Sequence, residues 1–327
     1  ASVADTHFIS NTAGTGGGVR FFGPAQLTGG AFAGNTGGGV YAARKLTIAP
    51  TLPYTYRDDF TLEGSLSAMG DLTFTTGMVT FWDSGATHYL TNTAPTTFDR
   101  LSVSAQSGVA VLDVGTSAVS VSGVFTNAGV IHRLAPTQTV ALAETYIYTD
   151  GVGQPTVLLR QTGGAAMGDT SVRVSARLAT TNFVCNGTAL SPQAVRRYFD
   201  INSGGDDTNV TADLTLRYHA PASPFYTEAN NTTPDTLVIY HCDGVRWVML
   251  NGSYTRGVEG DYRWVKLSGY TFSSFSPFVL GDPPSTDATL ADLALNAGTL
   301  TPTFDWATVS YTASVPNSAA SIRVTAI

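Results

Sequence analysis

Short apolar runs, broken by hydroxyl-rich and glycine-rich segments, follow one another along the chain, and none has the spacing of an amphipathic helix. In residues 101–104 and again in residues 119–122, every second residue is apolar and the residues between are serines. Such alternation is typical of a strand with one face in a core and the other in water. The pattern therefore predicts an all-β protein built from many short strands.

One sequence motif near the start of the chain occurs twice. Phe8 and Asn11 recur 24 residues later as Phe32 and Asn35, and each copy runs into three glycines and a valine, at residues 16–19 and 37–40. Repeats of this length predict a coil of stacked strands, in which each turn packs on its neighbours. Looser apolar runs continue to about Gln161. We therefore place the coil at residues 1–165.

A second region, residues 166–282, has longer and better separated runs, with turn signals between them at residues 203–207, 230–234 and 243–244. Seven strands in about 110 residues are typical of an immunoglobulin-like antiparallel β-sandwich. The expected strands are residues 171–178, 195–201, 210–218, 236–242, 247–250, 262–267 and 275–280.

The third region, residues 283–327, opens with a short proline-containing linker and continues with about three further strands. A complete sandwich takes about 100 residues, so this region is an incomplete one. Three strands alone would leave an apolar face and a sheet edge exposed.

Composition narrows the classes of function. Only 13% of the residues are charged, the net charge is −7, and Lys45 and Lys266 are the only lysines. No basic stretch suggests a nucleic-acid interface. No apolar stretch approaches the ~20 residues of a membrane-spanning helix, and residues 1–4 are compatible with the remnant of a cleaved leader. We expect no cofactor and no metal centre.

The two cysteines, Cys185 and Cys242, lack the spacing of metal ligands. In an exported chain we expect one disulfide between them, which closes a long loop and stabilises the fold by roughly 2–4 kcal/mol. Two buried thiols are the alternative. The disulfide interpretation predicts an extracellular or cell-surface protein.

The repeat resembles that of the polymorphic outer-membrane-protein family, and the match is carried by Phe8, Asn11, Phe32, Asn35 and the glycines after them. Residues 123–130 resemble the rungs of filamentous adhesins. These resemblances imply a right-handed parallel β-helix. Residues 197–201, 214–218, 243–247 and 275–278 resemble a sandwich module of bacterial surface proteins, and residues 288–327 are similar to the N-terminal half of a cadherin-like β-sandwich. No catalytic residues come with these resemblances.

An enzymatic β-helix, a polysaccharide lyase or hydrolase, is the main rival. Such a site needs several carboxylates with a basic residue on one face of adjacent turns. The residues of that kind bracket the proline-rich segment 50–53, and they are Arg57, Asp58, Asp59, Glu63, Asp71 and Asp83. A solvated loop that leaves the coil is the preferred interpretation, and we expect no catalytic residue.

Two weaker site hypotheses concern the second region. Asp206 and Asp207, in a glycine-containing turn, could bind Ca²⁺ through carboxylate and carbonyl oxygens, although an ordinary turn is favoured. A sugar-binding module is the third class of function. Its candidate residues are aromatic, with packing in the core as the favoured alternative, and they are Tyr254, Tyr262, Trp264 and Tyr270.

We expect a non-enzymatic extracellular structural or adhesive protein. Its expected partners are copies of itself, with polysaccharide or cell-surface components as further candidates. The glycine-rich repeat lies close to residue 1 and the last sandwich is unfinished, so the sequence predicts head-to-tail assembly into a filament by strand addition. A processed piece of a longer surface protein is the alternative. The expected interface residues are Leu290, Leu293, Leu295, Leu300, Phe304, Tyr311, Val315, Phe8 and Phe32.

Overall fold

The computed structural model describes residues 1–14, 17–49, 54–70, 72–82, 86–104, 109–177, 182–190, 193–205, 208–223, 227–275, 277–284, 293–304, 308 and 310–326. Across these ranges the chain is all-β and forms no α-helix. No helix that is long and apolar enough to cross a membrane occurs in them. The chain divides into two compact units, Ala1–Pro283 and Pro284–Ile327.

The first unit begins with a parallel β-solenoid of about five turns, whose strands lie on three faces. The first face consists of β1 (Ser2–Ala4), β4 (Ala25–Thr28), β7 (Leu46–Ile48), β10 (Leu66–Ala68), β12 (Thr87–Asn92), β14 (Val111–Asp113) and the start of β16 (Val130–Val140). The second consists of β3 (Val19–Phe21), β6 (Val40–Ala42), β9 (Phe60–Leu62), β11 (Leu72–Trp82), β13 (Thr96–Ser104) and β15 (Val119–Asn127). The third begins with β2 (His7–Ile9), β5 (Ala31–Ala33) and β8 (Tyr54–Tyr56).

The repeat length of the sequence is the length of one turn. Ser2 pairs with Gln26 on the first face, and Phe8 pairs with Phe32 on the third. In β7, β9 and β10 the two outer residues are buried and the hydroxyl residue between them is half-exposed. Each fully buried Leu, Ile or Phe contributes about 1.5–3 kcal/mol relative to exposure, so the stacked apolar interior stabilises the coil. The predicted all-β class and parallel coil are confirmed.

Long strands turn a corner of the coil without a loop. The first half of β11 pairs with β8 and the second half pairs with β9, so that β11 crosses from the third face to the second. At the corner Thr76 has a φ of 66°, and a Cβ on Gly77 would lie 2.1 Å from the carbonyl oxygen of Asp58. Glycine is required there because the neighbouring turn passes so close.

An aromatic column runs through the interior of the coil. The rings of Phe8 and Phe32 stack with their centroids 5.1 Å apart, and Phe74 stacks on Tyr56 at 5.5 Å and on Phe98 at 5.1 Å. Stacked rings contribute about 0.5–1.5 kcal/mol per pair beyond the burial of their area. The column therefore fixes successive turns in one register.

The coil passes into antiparallel structure through β16. This strand pairs in parallel with β14 over Val130 to His132, and antiparallel with β19 from Ile131 onward. A twelve-stranded and a five-stranded sheet contain most of the remaining strands. These are β17 (Thr145–Thr149), β18 (Pro155–Gly163), β19 (Gly168–Ala176), β20 (Val184–Cys185), β21 (Thr188–Ala189), β22 (Ala194–Ser203), β23 (Val210–His219), β24 (Val238–Cys242), β25 (Trp247–Met249), β26 (Ser253–Glu259), β27 (Tyr262–Phe272) and β28 (Phe278–Gly281).

The twelve-stranded sheet ends in the order β14-β16-β19-β22-β28-β24-β25, and the five-stranded sheet has the order β17-β18-β23-β27-β26. Apolar residues of both sheets, such as Val172, Phe199, Leu214 and Leu267, form one buried cluster. The antiparallel ladder starts at Ile131, well before the predicted boundary at residue 165. The change from parallel to antiparallel pairing falls within a single strand, β16, so no break in the sequence marks it. The three-domain division, the right-handedness and the sandwich assignment stay predictions.

The second unit, Pro284–Ile327, contains two short antiparallel pairs among its described residues. One pair is β29 (Leu293–Leu295) with β32 (Val324–Ala326), and the other is β30 (Thr299–Thr301) with β31 (Thr312–Ser314). The apolar side chains of β29 are only half-buried. An isolated two-stranded ladder is marginally stable in water.

Candidate ligand-binding groove

The five-stranded sheet presents a groove on the face that is turned away from the core. Along β23, Leu214 and Leu216 point into the core, whereas Asp213, Thr215 and Arg217 line a cavity of about 380 Å³. Alternation along each strand accounts for this division. The remaining lining residues come from four other strands, and they are Thr145, Leu158, Arg160, Glu259, Trp264 and Lys266.

Trp264 lies across a glycine of the neighbouring strand. Gly257 in β26 pairs directly with Trp264 in β27. A Cβ on Gly257 would lie 2.4 Å from Cζ2 and 2.8 Å from Nε1 of the indole. Only glycine therefore lets the indole rest on the strand. The side chain is held against the sheet and is half-exposed in the groove.

A carboxylate shared by two cations occupies one part of the groove. Asp213 lies 3.1 Å from Nζ of Lys266 and 3.8 Å from Nη1 of Arg160, and it accepts a hydrogen bond from the backbone N–H of Gly269. Burial raises the pKa of Asp213, but the Gly269 hydrogen bond and the two cations outweigh it and hold the pKa below its ordinary value. Asp213 is 16% exposed, whereas Lys266 and Arg160 are 37% and 46% exposed. Solvent therefore meets more positive than negative charge here.

In the ion pair of Arg217 and Glu259, the anion and not the cation is the exposed partner. Nη2 of Arg217 lies 3.2 Å from Oε2 of Glu259, with Arg217 almost buried and Glu259 72% exposed. The guanidinium of Arg217 also lies over the ring of Tyr262, 5.5 Å from its centroid. This part of the groove therefore presents a carboxylate to solvent, and the cation beneath it is fixed by the sheet.

A buried ionic cluster adjoins the groove through Tyr262, over whose ring Arg217 lies. Nε of Arg197 lies 2.8 Å from Oε2 of Glu228, and both terminal nitrogens of Arg197 donate to Oδ2 of Asp150. The hydroxyl of Tyr262 donates to the same oxygen at 3.1 Å. Burial lowers the pKa of Arg197, but Glu228 and Asp150 raise it above its ordinary value. The arginine is therefore charged and paired, as a buried charge requires.

Asp150 also holds the loop that covers the end of the coil. Its Oδ1 accepts hydrogen bonds from the backbone N–H groups of Val152 and Gln154. Val152 is buried in the apolar cluster of the coil. The ends of a solenoid must be covered to keep their apolar interior from water. One carboxylate thus links this cover to both antiparallel sheets.

The carboxylates of the enzymatic hypothesis bind neighbouring turns of the coil. Oδ2 of Asp58 accepts hydrogen bonds from Nδ2 of Asn35 at 2.7 Å and from its backbone N–H at 3.0 Å. Oδ1 of Asp59 accepts a hydrogen bond from the backbone N–H of Met78 at 2.6 Å. Glu63 is hydrogen-bonded to Tyr41. Asp71, Asp83 and segment 50–53 lie outside the described residues.

The repeated asparagines form a ladder with Asp58. Nδ2 and the backbone N–H of Asn11 both donate to Oδ1 of Asn35 at 3.0 Å. Nδ2 of Asn35 donates in turn to Oδ2 of Asp58. Asn35 also donates to the carbonyl of Phe8 at 2.8 Å. The polar positions of the repeat thus join three successive turns.

The expected disulfide is present. Cys185 in β20 is bonded to Cys242 in β24 across 57 residues, with the Cα atoms 5.6 Å apart. The bond joins the β20–β21 hairpin to the twelve-stranded sheet. Nε1 of Trp247 donates to the carbonyl of Phe183 beside it. A buried disulfide of this kind is typical of an oxidising compartment.

The proposed interface residues fall into two groups. Leu293, Leu295, Leu300 and Phe304 line a cavity of about 350 Å³ in the second unit, where Tyr311 stacks on Phe304 at 6.0 Å. Val315 is exposed, and Leu290 lies outside the described residues.

In the coil, Phe8 is half-buried, and its ring covers that of Phe32, which is 2% exposed. The ring of Phe32 thus belongs to the core of the coil, beneath the half-buried Phe8. The assembly role of these residues stays a prediction.

The two remaining hypotheses concern a Ca²⁺-binding turn and a set of sugar-binding aromatic residues. Asp206 and Asp207 lie outside the described residues, and within the described ranges no three His, Cys, Asp or Glu side chains gather as a metal site. Of the four aromatic candidates, Tyr262 is buried in the ionic cluster, while Tyr254 and Tyr270 pack against the core. Trp264 alone of these four lines the groove.

Sequence reasoning missed the charged residues around Trp264. They come from four strands, β18, β23, β26 and β27, and only the cross-strand register brings them together. Lys266 pairs with Thr215, and Arg160 pairs with Asp213. One signal was available, because Lys266 is one of two lysines in the chain and lies two residues from Trp264 in an alternating strand.

Comparison with protein-family models, with curated proteins and with solved structures finds no match to this chain.

Proposed function

We propose that this chain is a non-enzymatic, extracellular structural protein with an adhesive role, in which the coil acts as a rigid spacer. The observation that carries the proposal is the bonding of Asp58 and Asp59. Their carboxylates accept hydrogen bonds from Asn35 and Met78 in neighbouring turns. A general acid or base has to direct its oxygen at substrate, and these oxygens are directed at the backbone and amides of the coil.

The extracellular setting is supported by the disulfide, because such bonds persist in oxidising compartments. The likeness of the repeat to adhesin β-helices fits the same setting. A right-handed coil followed by sandwich modules of bacterial surface proteins is the finer form of the proposal. The parallel turns and the shared core of the two antiparallel sheets support it.

Assembly of copies head to tail is the second part of the proposal. It is supported by the half-buried apolar side chains of the second unit, Leu293, Leu295, Leu300 and Phe304. Two-stranded ladders gain stability when further strands add to them. In the proposed filament these strands meet the first turn of a neighbouring copy, at the edge that includes Phe8.

Sedimentation velocity over a hundredfold range of concentration, with electron microscopy of the same samples, tests the assembly. The purified chain is expected to form fibres, and Leu295→Asp is expected to shift it to monomer. Val245→Asp is the matched control, because Val245 is an exposed apolar residue of the first unit. A chain that stays monomeric at every concentration would overturn the assembly part of the proposal.

A further inference from the structure

We propose that the groove around Trp264 binds an acidic polysaccharide, with a pyranose ring on the indole and its carboxylate or sulfate at Lys266 and Arg160. This inference rests on the adhesive function proposed above and names the partner of the adhesive surface. The groove lies on β-strands of the first unit, so the side chains that would meet the sugar are held by a packed sheet.

The packing of the Trp264 indole on Gly257 favours a flat, partly apolar ligand. The indole is fixed against Gly257 and has one side in the cavity. A fixed aromatic ring offers a large contact area at little cost in conformational entropy. The C–H groups on one face of a pyranose ring are suited to such a surface. A cavity of about 380 Å³ is at the small end of the range for ligand sites, which fits a few sugar units.

The charge around the indole favours an acidic sugar. Lys266 and Arg160 share the single carboxylate of Asp213, which is more buried than either cation. One positive charge is therefore left over at the surface of a chain whose net charge is −7. A carboxylate or sulfate would complete this cluster with charge-assisted hydrogen bonds.

The exposed carboxylate of Glu259 matches the hydroxyl groups of a sugar. Glu259 is tied to Arg217 on one side and open to solvent on the other, so it can accept hydrogen bonds from hydroxyl donors. A polyanion without hydroxyl groups would meet repulsion at Glu259. An acidic polysaccharide satisfies both parts of the groove, with an anion for Lys266 and Arg160 and hydroxyl donors for Glu259.

Isothermal titration calorimetry of the full chain with oligogalacturonate, at two salt concentrations, tests the inference. Neutral maltooligosaccharide of the same length is the control ligand. We expect binding to oligogalacturonate that weakens with salt, and at least tenfold weaker binding of the neutral sugar.

Three variants locate the site. Trp264→Ala is expected to weaken binding about tenfold or more, as the loss of an aromatic anchor does. Gly257→Ala keeps the indole but displaces it, and it is expected to weaken binding in the same direction. Lys266→Ala is expected to weaken binding about tenfold and to reduce the salt dependence. Lys45→Ala removes the other lysine, which is an exposed residue of the coil, and is expected to leave binding unchanged.

Thermal melting of each variant separates a lost site from a lost fold. If Trp264→Ala fails to fold, Gly257→Ala and Lys266→Ala carry the test. No binding of oligogalacturonate by the wild-type chain, equal binding of the neutral sugar, or full binding by the groove variants would overturn the inference. Fibre formation by the same wild-type sample is measured separately, so a failure of glycan binding is distinguishable from a failure of the proposed assembly.

Discussion

Both terminal nitrogens of Arg197 lie 3.3 Å from the same oxygen of Asp150, and the two side chains are 1% and 3% exposed. Arg197 belongs to the twelve-stranded sheet, and Asp150 begins the loop that covers the end of the coil. Tyr262, from the five-stranded sheet, donates to the same oxygen. One buried ionic cluster therefore joins the loop at the end of the coil to both antiparallel sheets.

Replacing Arg197 with Leu is expected to lower the free energy of unfolding by about 3–5 kcal/mol, because Asp150 and Glu228 would remain buried without their cation. Urea denaturation followed by circular dichroism measures the change. Arg263→Leu is the control, since its pair with Asp235 is exposed and is expected to contribute about 1 kcal/mol or less. Equal effects of the two replacements would contradict the structural role of the cluster.

Loss of the disulfide is expected to destabilise the first unit. The bond closes 57 residues, and the chain-entropy relation gives about 4 kcal/mol for a loop of this length. Urea unfolding with and without a reductant measures the effect in the wild-type chain. The Cys185→Ala, Cys242→Ala double variant serves as the control, because its unfolding should be insensitive to the reductant. A wild-type midpoint that does not move on reduction would be incompatible with this prediction.

Stability is expected to fall as the pH drops below about 6.5. Burial lowers the pKa of His132 and of His219, and the neighbouring carboxylates offset only part of this effect. The unfolded chain then takes up protons at a pH where the folded chain does not, so acid favours unfolding. Melting temperatures between about pH 7.5 and pH 5 measure the slope. His132→Gln should flatten it, and an unchanged slope in this variant would contradict the prediction.

A second loss of stability is expected at alkaline pH. Burial raises the pKa of Tyr198, Tyr218, Tyr240 and Tyr254 to about 12. Unfolded tyrosines lose their protons near pH 10, so the stability falls as the pH rises from about 10 to 12. Phenolate absorbance recorded during an alkaline titration checks this. Ionisation of these side chains at pH 10 without unfolding would be the opposite result.

Local patterns in the sequence predict much of the coil. The alternation at Leu101 and Val119 and the repeated Phe8 and Phe32 each correspond to an inward strand position or a stacked ring. The end of the coil could not be predicted in the same way. Strands β17 and β18 are short runs with apolar residues, like the strands before them, and only their pairing shows that they are antiparallel.

The groove was harder to predict from the sequence than the coil. Trp264 was a candidate because it is aromatic, but an alternating strand does not reveal which neighbours its register brings close. Asp213 and Arg160 reach the groove from strands that are distant in sequence. The position of the indole depends on the missing side chain of Gly257, and the sequence does not show that Gly257 and Trp264 are paired.

The proposed function depends on a structural role for the carboxylate of Asp58. The free energy of unfolding of Asp58→Ala is the most direct test of that role. The replacement leaves two donors of Asn35 without their acceptor, and a decrease of about 1–3 kcal/mol relative to wild type is predicted. Asn35→Ala and the double variant form a cycle in which the two effects should be less than additive. An increased stability of Asp58→Ala is typical of a carboxylate strained for catalysis, and an unchanged stability is typical of a surface residue without a structural role. Either result would contradict the structural role on which the proposed non-enzymatic function depends.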